Sequence, residues 1–222
     1  MLELSEKLRG ELFTRGASVV GYADLSDIPV KSRLGFAKGI SIGTAINPEV
    51  IQGISRGPTA AYYAEYNRLN RLLNSLALYA ADFLRSRGYK AHPQTMENVI
   101  EDESTWRTPL PHKTVATRAG LGWIGNCALL VTERFGSAIR ITSVITDADL
   151  PAARPVDESR CGDCMLCRDA CPGLAVKGEN WSVNKDRDSF FNPFDCRKAA
   201  RGKAAVIGLE ATLCGMCIYV CP

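Results

Sequence analysis

The sequence predicts an α+β protein in two parts, an N-terminal α/β domain over residues 1–150 and a smaller cysteine-rich domain over residues 151–222. Three observations carry this. A helical period runs through residues 59–87, where Tyr62, Tyr66, Leu69, Leu72, Leu73, Leu76, Tyr79, Ala80 and Phe83 recur on one face. Short, β-branched stretches stand on either side of it. Eight of the nine cysteines fall after residue 160.

Taken in order, residues 2–15 place Leu2, Leu4, Leu8, Leu12 and Phe13 near one face and stop at Gly16, which predicts a helix. Residues 17–22 are short and β-branched, a strand. Residues 24–33 form a loop around Pro29. Residues 39–46 alternate apolar and small side chains, a second strand, and residues 47–58 are rich in turn formers, a segment suited to lie over a pocket. Gly88 stops the long helix, and residues 90–94 make a short strand containing Pro93. Residues 95–111 have no period and read as a loop, with Glu101, Asp102 and Glu103 as a solvated acidic cluster. Residues 112–119 read as a short helix, capped by Gly120.

Residues 120–125 then spell G-x-G-x-x-G. A dinucleotide fingerprint follows a strand and opens a helix. Here a helix precedes and a strand follows, so close backbone packing or ligand approach explains these glycines better. Residues 128–132 and 138–145 are read as a hairpin turning across residues 133–136. Cys127 heads the first of these strands and reads as a small buried hydrophobe. Residues 147–159, with Pro151 and Pro155, lead into the cysteine-rich domain.

That domain opens with Cys161-x2-Cys164-x2-Cys167-x3-Cys171-Pro172 and closes with Cys214-x2-Cys217-x3-Cys221-Pro222. The first run has the bacterial ferredoxin spacing for a 4Fe–4S cluster. The second repeats it with one ligand missing, because Ala211 stands where a first cysteine belongs. Each of a cubane's four irons needs one thiolate, and soft iron–sulfide prefers soft sulfur. In two-cluster ferredoxins the last cysteine of each run crosses to the other cluster. The spacing therefore predicts a bacterial two-cluster ferredoxin-like domain. One cluster takes Cys161, Cys164, Cys167 and Cys221. The other takes Cys171, Cys214 and Cys217, with Cys196 replacing the lost ligand. Two zinc sites would also use eight thiolates, but zinc does not need the x2-x2-x3-Pro run. Nine cysteines in 222 residues is below the density of a disulfide scaffold. Arg197, Lys198, Arg201 and Lys203 follow Cys196, as a solvated helix face or as a dock for an acidic electron donor or a phosphate.

A hydrophobic content of 46% supports a real core, and a net charge of +3 neither implies nor excludes nucleic acid. No apolar run approaches membrane-spanning length. The N-terminus, Met1 to Lys7, is an amphipathic start and not a signal peptide. Cluster cysteines without an export signal predict a reducing, cytoplasmic setting.

His112-Lys113 through Arg118-Ala119-Gly120-Leu121-Gly122-Trp123-Ile124-Gly125, then the expected hairpin and the two cysteine runs, resembles the epoxyqueuosine reductase family over residues 17–222. The resemblance implies an N-terminal α/β domain of the corrinoid/flavin-reductase-like type, fed with electrons by two 4Fe–4S clusters, a layout reductive dehalogenases share. It implies an iron–sulfur oxidoreductase passing electrons to a cobalamin, a flavin or a substrate. Aligned on Pro109, Trp106 stands where the family has its catalytic aspartate, so His112 or Glu103 takes over as proton donor. His112 is the first choice, because an unperturbed histidine titrates near neutral pH. Tyr63, Trp106 and Trp123 are expected to line the pocket with it. The family's tRNA-gripping helical-repeat domain is expected to be absent. The expected partners are an electron-donor protein and a small-molecule or corrinoid-protein substrate, with neither tRNA nor a membrane. The alternative is an electron-carrier or docking module with no cofactor beyond the clusters.

Overall fold

The computed structural model describes residues 2–221; Met1 and Pro222, the outer limits of the two expected domains and the last residue of the second cysteine run, lie outside it. In chain order the elements are α1 (Leu2–Thr14), β1 (Val19–Asp24), β2 (Lys38–Ala45), α2 (Pro48–Gln52), α3 (Ala60–Arg85), β3 (Ala91–Gln94), α4 (His112–Arg118), β4 (Trp123–Ile124), β5 (Leu130–Val131), β6 (Ile139–Thr146), α5 (Leu166–Asp169), α6 (Arg187–Phe190), α7 (Pro193–Ala205) and α8 (Met216–Tyr219).

Two compact units emerge, and both are discontinuous in sequence. The first comprises Met1–Thr44, Leu69–Gly122 and Arg140–Val156, the second Ala45–Arg68, Trp123–Ile139 and Asp157–Pro222. The sequence reading instead placed one boundary at residue 150. The difference has a physical cause. Ile124 and Ala128 share an apolar cluster with Trp181 and Phe190, and Ile54 and Tyr62 pack against Gly215. Two stretches from before residue 140 thus complete the core under the cysteines.

The first unit is built on a four-stranded sheet of order β1-β2-β6-β3. β1 and β2 pair antiparallel, with Tyr22 opposite Ile40, and β3 pairs antiparallel with β6, with Pro93 opposite Val144. Pro93 lies on an edge strand, where a missing backbone donor is tolerated. Alternation assigns the faces. Val20, Tyr22, Ile40, Ile42 and Val144 join Leu8 and Leu12 of α1 and Leu76, Ala80 and Leu84 of α3 in one core. Ala23 and Ile145 meet Val115 and Ala119 on the other side. Glycine at position 21 lets α4 come close, since a Cβ there would lie 2.9 Å from the Ala119 carbonyl oxygen. The Tyr22 hydroxyl donates to the Ser5 carbonyl at 2.5 Å, which satisfies its buried polar end.

The expected helices appear as α1, α3 and α4, and the strands as β1, β2 and β3, within a few residues. The turn-rich segment contains the short helix α2, with Pro48 in its first turn and the Asn47 side chain accepting from the Glu49 amide at 2.9 Å. The expected hairpin is corrected. β5 pairs with β4, while β6 joins the large sheet. The Gly125 amide donates to the Leu129 carbonyl at 2.9 Å and the Ala128 amide to the Gly125 carbonyl at 2.8 Å, with Ala128 at φ +59°. This tight turn folds residues 130–131 back on Trp123 and Ile124, and the Thr132 amide closes a separate small turn on Gly136 at 2.9 Å.

Candidate metal centre

All nine cysteines are free thiols. The two runs repeat in structure as well as in spacing. Cys167 is the second residue of the one-turn helix α5, and Cys217 the second residue of α8. The helices end on Ala170 (φ −84°, ψ −8°) and Val220 (φ −88°, ψ −4°). The Cys171 amide then bonds the Arg168 carbonyl at 3.2 Å and the Cys221 amide the Ile218 carbonyl at 3.3 Å. Equal spacing thus becomes equal backbone geometry.

The thiols gather across the runs. Cys221 lies with Cys161 and Cys167. Cys196 lies with Cys171 and Cys214. Each group draws on one expected ligand set, and each includes the cysteine that crosses over. Cys196 reaches its group from the first turn of α7, where the Asn192 side chain caps the helix by accepting from the Phe194 amide at 3.0 Å. A Cβ on Gly173 would lie 2.7 Å from the Asp195 carbonyl oxygen, so only glycine lets this turn settle against the loop after Cys171. Ala211, the lost position, lines a surface depression with Arg201, Leu209 and Thr212.

The residues present fit iron–sulfur clusters. A cubane spreads its four thiolates over four irons, and the thiols here gather from both runs. Donors point at sulfur. The Trp123 indole N–H donates to Cys161 Sγ at 3.4 Å, and the Ala175 amide to Cys171 Sγ at 3.3 Å. The Ser137 hydroxyl is buried with no oxygen or nitrogen partner, and it sits against the Cys221 thiol. An electron-rich thiolate accepts such bonds better than a thiol does. Burial pushes the unliganded Cys196 thiol up to about 11 and also raises Cys214 and Cys221. Metal binding at these positions therefore displaces protons.

Gly125 belongs to this centre. A Cβ there would lie 2.7 Å from Val131 Cγ2, 3.5 Å from Cys161 Sγ and 3.8 Å from Cys127 Sγ. The last glycine of G-x-G-x-x-G thus makes room for sulfur rather than for pyrophosphate. Cys127 is buried as expected, but its side chain meets Cys167 and Cys217. Sequence reasoning missed Cys127 and Ser137 as neighbours of the ligands. No spacing rule reaches back across more than twenty residues.

The four residues expected around an electron acceptor are divided. Trp106 and His112 lie in the first unit, Tyr63 and Trp123 in the second. Trp123 serves a ligand sulfur. Tyr62, not Tyr63, is the buried tyrosine that packs on Gly215. Trp106 holds φ +52° in a turn organised by Asp102, whose carboxylate accepts from the Ser104 amide at 2.9 Å and the Thr105 hydroxyl at 2.9 Å. Asp102 is therefore a turn former, and Glu103 is exposed.

His112 opens α4, and its Nδ1 lies 2.9 Å from Ser143 Oγ. The Ser143 hydroxyl is itself bonded to Gln94 Oε1. With that hydroxyl proton engaged, Nδ1 carries the imidazole proton and Nε2 is left as an acceptor. Burial and then the nearby Arg140 guanidinium push the His112 pKa down to about 4. The imidazole is neutral at pH 7, which corrects the expectation of a donor titrating near neutrality.

Residues 160–222 match the family described as the 4Fe-4S double cluster binding domain. Epoxyqueuosine reductase from Synechocystis sp. is 30% identical over 116 residues, which is 51% of this chain and 39% of that protein. Tetrachloroethene reductive dehalogenase from Dehalobacter restrictus is 28% identical over 203 residues, 90% of this chain and 33% of that protein. A crystal structure of selenomethionine-labelled epoxyqueuosine reductase covers 100% of this chain at a TM-score of 0.66 and 18% identity, with 65% of that chain covered. A catabolic reductive dehalogenase covers 98% of this chain at a TM-score of 0.74 and 18% identity, with 31% of that chain covered. The chain spans between a third and two-fifths of these two curated relatives. Among the described residues no helix is long and apolar enough to cross a membrane.

Proposed function

We propose that this chain, an epoxyqueuosine reductase-like iron–sulfur protein, is an oxidoreductase that passes single electrons from two 4Fe–4S clusters to a corrinoid, a flavin or a substrate. The observation that carries the reading is the exchange of thiols between the runs, with Cys221 beside Cys161 and Cys167, and Cys171 beside Cys196 and Cys214. Two clusters held by exchanged ligands lie close to one another, which suits serial transfer.

Cys161, Cys164, Cys167 and Cys221 hold one cluster, and Cys171, Cys196, Cys214 and Cys217 the other. The clusters supply electrons one at a time. Trp123 and Ala175 hold the reduced state by donating N–H to ligand sulfur. His112 acts as a neutral acceptor at Nε2, fixed by Ser143 and Gln94. Trp106 supplies an aromatic face in the first unit, and Tyr63 one in the second. The proposed substrate is not tRNA, because Trp106 stands in the family's aspartate position. An acidic electron-donor protein is the proposed redox partner, facing the basic side chains that follow Cys196.

The test is anaerobic reconstitution with iron and sulfide, then with hydroxocobalamin or a flavin. About eight irons per chain are expected, with one of the two organic cofactors retained through gel filtration and reduced when the clusters are. A chain that holds its clusters but retains neither would be an electron carrier, and the reductase reading would be wrong.

A further inference from the structure

Helix α7 carries Cys196 in its first turn and the cations Lys198, Arg201 and Lys203 further along. Lys198 and Arg201 are three residues apart and share an exposed helix face. Among the described residues neither has a carboxylate partner. Arg201 Nε donates to Thr212 Oγ1 at 3.3 Å, which ties this face to the segment leading into Cys214. Between helix and segment lies a depression of about 400 Å³, lined by Arg201, Ala205, Leu209, Glu210, Ala211 and Thr212. Val206 and Ile207 connect two of its lining residues, Ala205 and Leu209, and are 83% and 41% exposed. Gly202 adds bare backbone. It lies inside α7, where glycine weakens a helix, yet a Cβ there would meet nothing within 4 Å. Packing within the chain therefore does not call for glycine at this position.

We propose that the C-terminal half of α7 and residues 206–212 dock a small acidic electron-donor protein, and that its electrons enter through the cluster held by Cys196 and Cys214. This deepens the reductase reading and rests on its two ligand sets. An apolar centre with a charged rim is the make-up of a protein interface. Ala205, Val206, Ile207 and Leu209 supply the centre, Lys198 and Arg201 the rim. Unpaired cations complement a partner of opposite charge and steer its approach. A nucleic acid fits less well, since Asp195 and Glu210 stand on the same surface, where they repel phosphate. Bare backbone at Gly202 permits the close approach that a short electron path needs. Cys196 lies two residues before Lys198, and Cys214 two residues after Thr212. A partner seated here thus covers both segments that supply those ligands. The donor gives up one electron and the second cluster takes it, with no bond made or broken.

The experiment uses the full chain, reconstituted anaerobically, as wild type, Lys198→Glu, Gly202→Gln, Cys196→Ser and Lys31→Glu. Lys31 is an exposed lysine of the first unit, so its reversal controls for net charge. Two probes are used in turn, an acidic bacterial ferredoxin and an acidic flavodoxin. Binding is followed at low and raised salt, cluster reduction by stopped-flow absorbance, and stability by the thermal midpoint. At least one probe should bind wild type and Lys31→Glu alike, and more weakly as salt rises. Lys198→Glu should cut its association rate about tenfold and flatten the salt dependence. Gly202→Gln should raise the thermal midpoint, being the better helix former, and weaken donor binding, a pair of results that damage to the fold does not produce. Cys196→Ser, which disturbs the second cluster, should slow reduction of the first by the donor. Unchanged binding and reduction in both Lys198→Glu and Gly202→Gln would overturn the docking face, as would a wild type that binds neither probe. Unslowed reduction of the first cluster in Cys196→Ser would overturn the entry route. RNA retained through Lys198 with neither probe bound would make the face a nucleic-acid site and end the proposal. A wild type holding far fewer than about eight irons would remove the two-cluster reading itself, a result read from iron content before any donor is added.

Discussion

In the proposed ligand sets, Cys196 stands in for a residue missing farther along the chain. Its thiol reaches Cys171 and Cys214 because Asn192 caps α7 and Gly173 lets the first turn approach. Cys196→Ser should leave one iron of the second cluster without a thiolate. The expected result is roughly seven irons per chain and a three-iron EPR signal in the oxidised protein. The first cluster should be untouched. An intact pair of four-iron spectra in Cys196→Ser would mean that another group ligates that iron, and Ala211 cannot. The gap in the second run pointed the sequence reading to Cys196 as the nearest spare cysteine, and its thiol does lie with those of Cys171 and Cys214. The state of His112 was not legible, because its low pKa comes from burial and from Arg140, twenty-eight positions away.

At the scale of elements, the loop between Cys214 and Cys217 depends on Gly215. It sits at φ +86°, and a Cβ would come within 2.6 Å of Ile54 Cδ1 and 2.8 Å of Tyr62 Cε1. Ile54 is fully buried and Tyr62 nearly so, which leaves little room to give way. Gly215→Ala combines left-handed strain with overpacking and should cost about 2–4 kcal/mol. Gly208 provides the control. It has φ +73° but nothing within 4 Å of a built Cβ, so Gly208→Ala should cost about 1 kcal/mol. Thermal midpoints and iron content of the two variants decide the matter. Equal losses would show that contact with α3 and residue 54 contributes nothing to the ligand loop. The helices were legible because α1 and α3 carry enough turns for a period to show. β4 and β5 were not, since two-residue strands have no period, and Ala128 adopts φ +59° without a glycine to announce it. The misplaced hairpin followed from that.

For the whole molecule, the question is what a cysteine-rich tail needs in order to hold metal. The spacing made residues 151–222 look self-sufficient, because every ligand lies within them. The second compact unit nonetheless includes Ala45–Arg68 and Trp123–Ile139. Those stretches bring the Trp123 donor to Cys161, Ser137 to Cys221, and Ile54 and Tyr62 to Gly215. They also add Ile124 and Ala128 to the apolar cluster around Trp181 and Phe190. A fragment of about seventy residues is already near the size at which one core is marginal. Removing these segments exposes Trp181 and Phe190 and strips donors from two ligands. A 151–222 fragment reconstituted beside the full chain should therefore recover well under half of its iron and lose it faster to a chelator. The decisive comparison is the rate of iron release at equal protein concentration. If the fragment holds eight irons with the full chain's EPR spectrum and release rate, the flanking segments are passengers. The interleaving would then be a matter of packing alone, without bearing on the clusters.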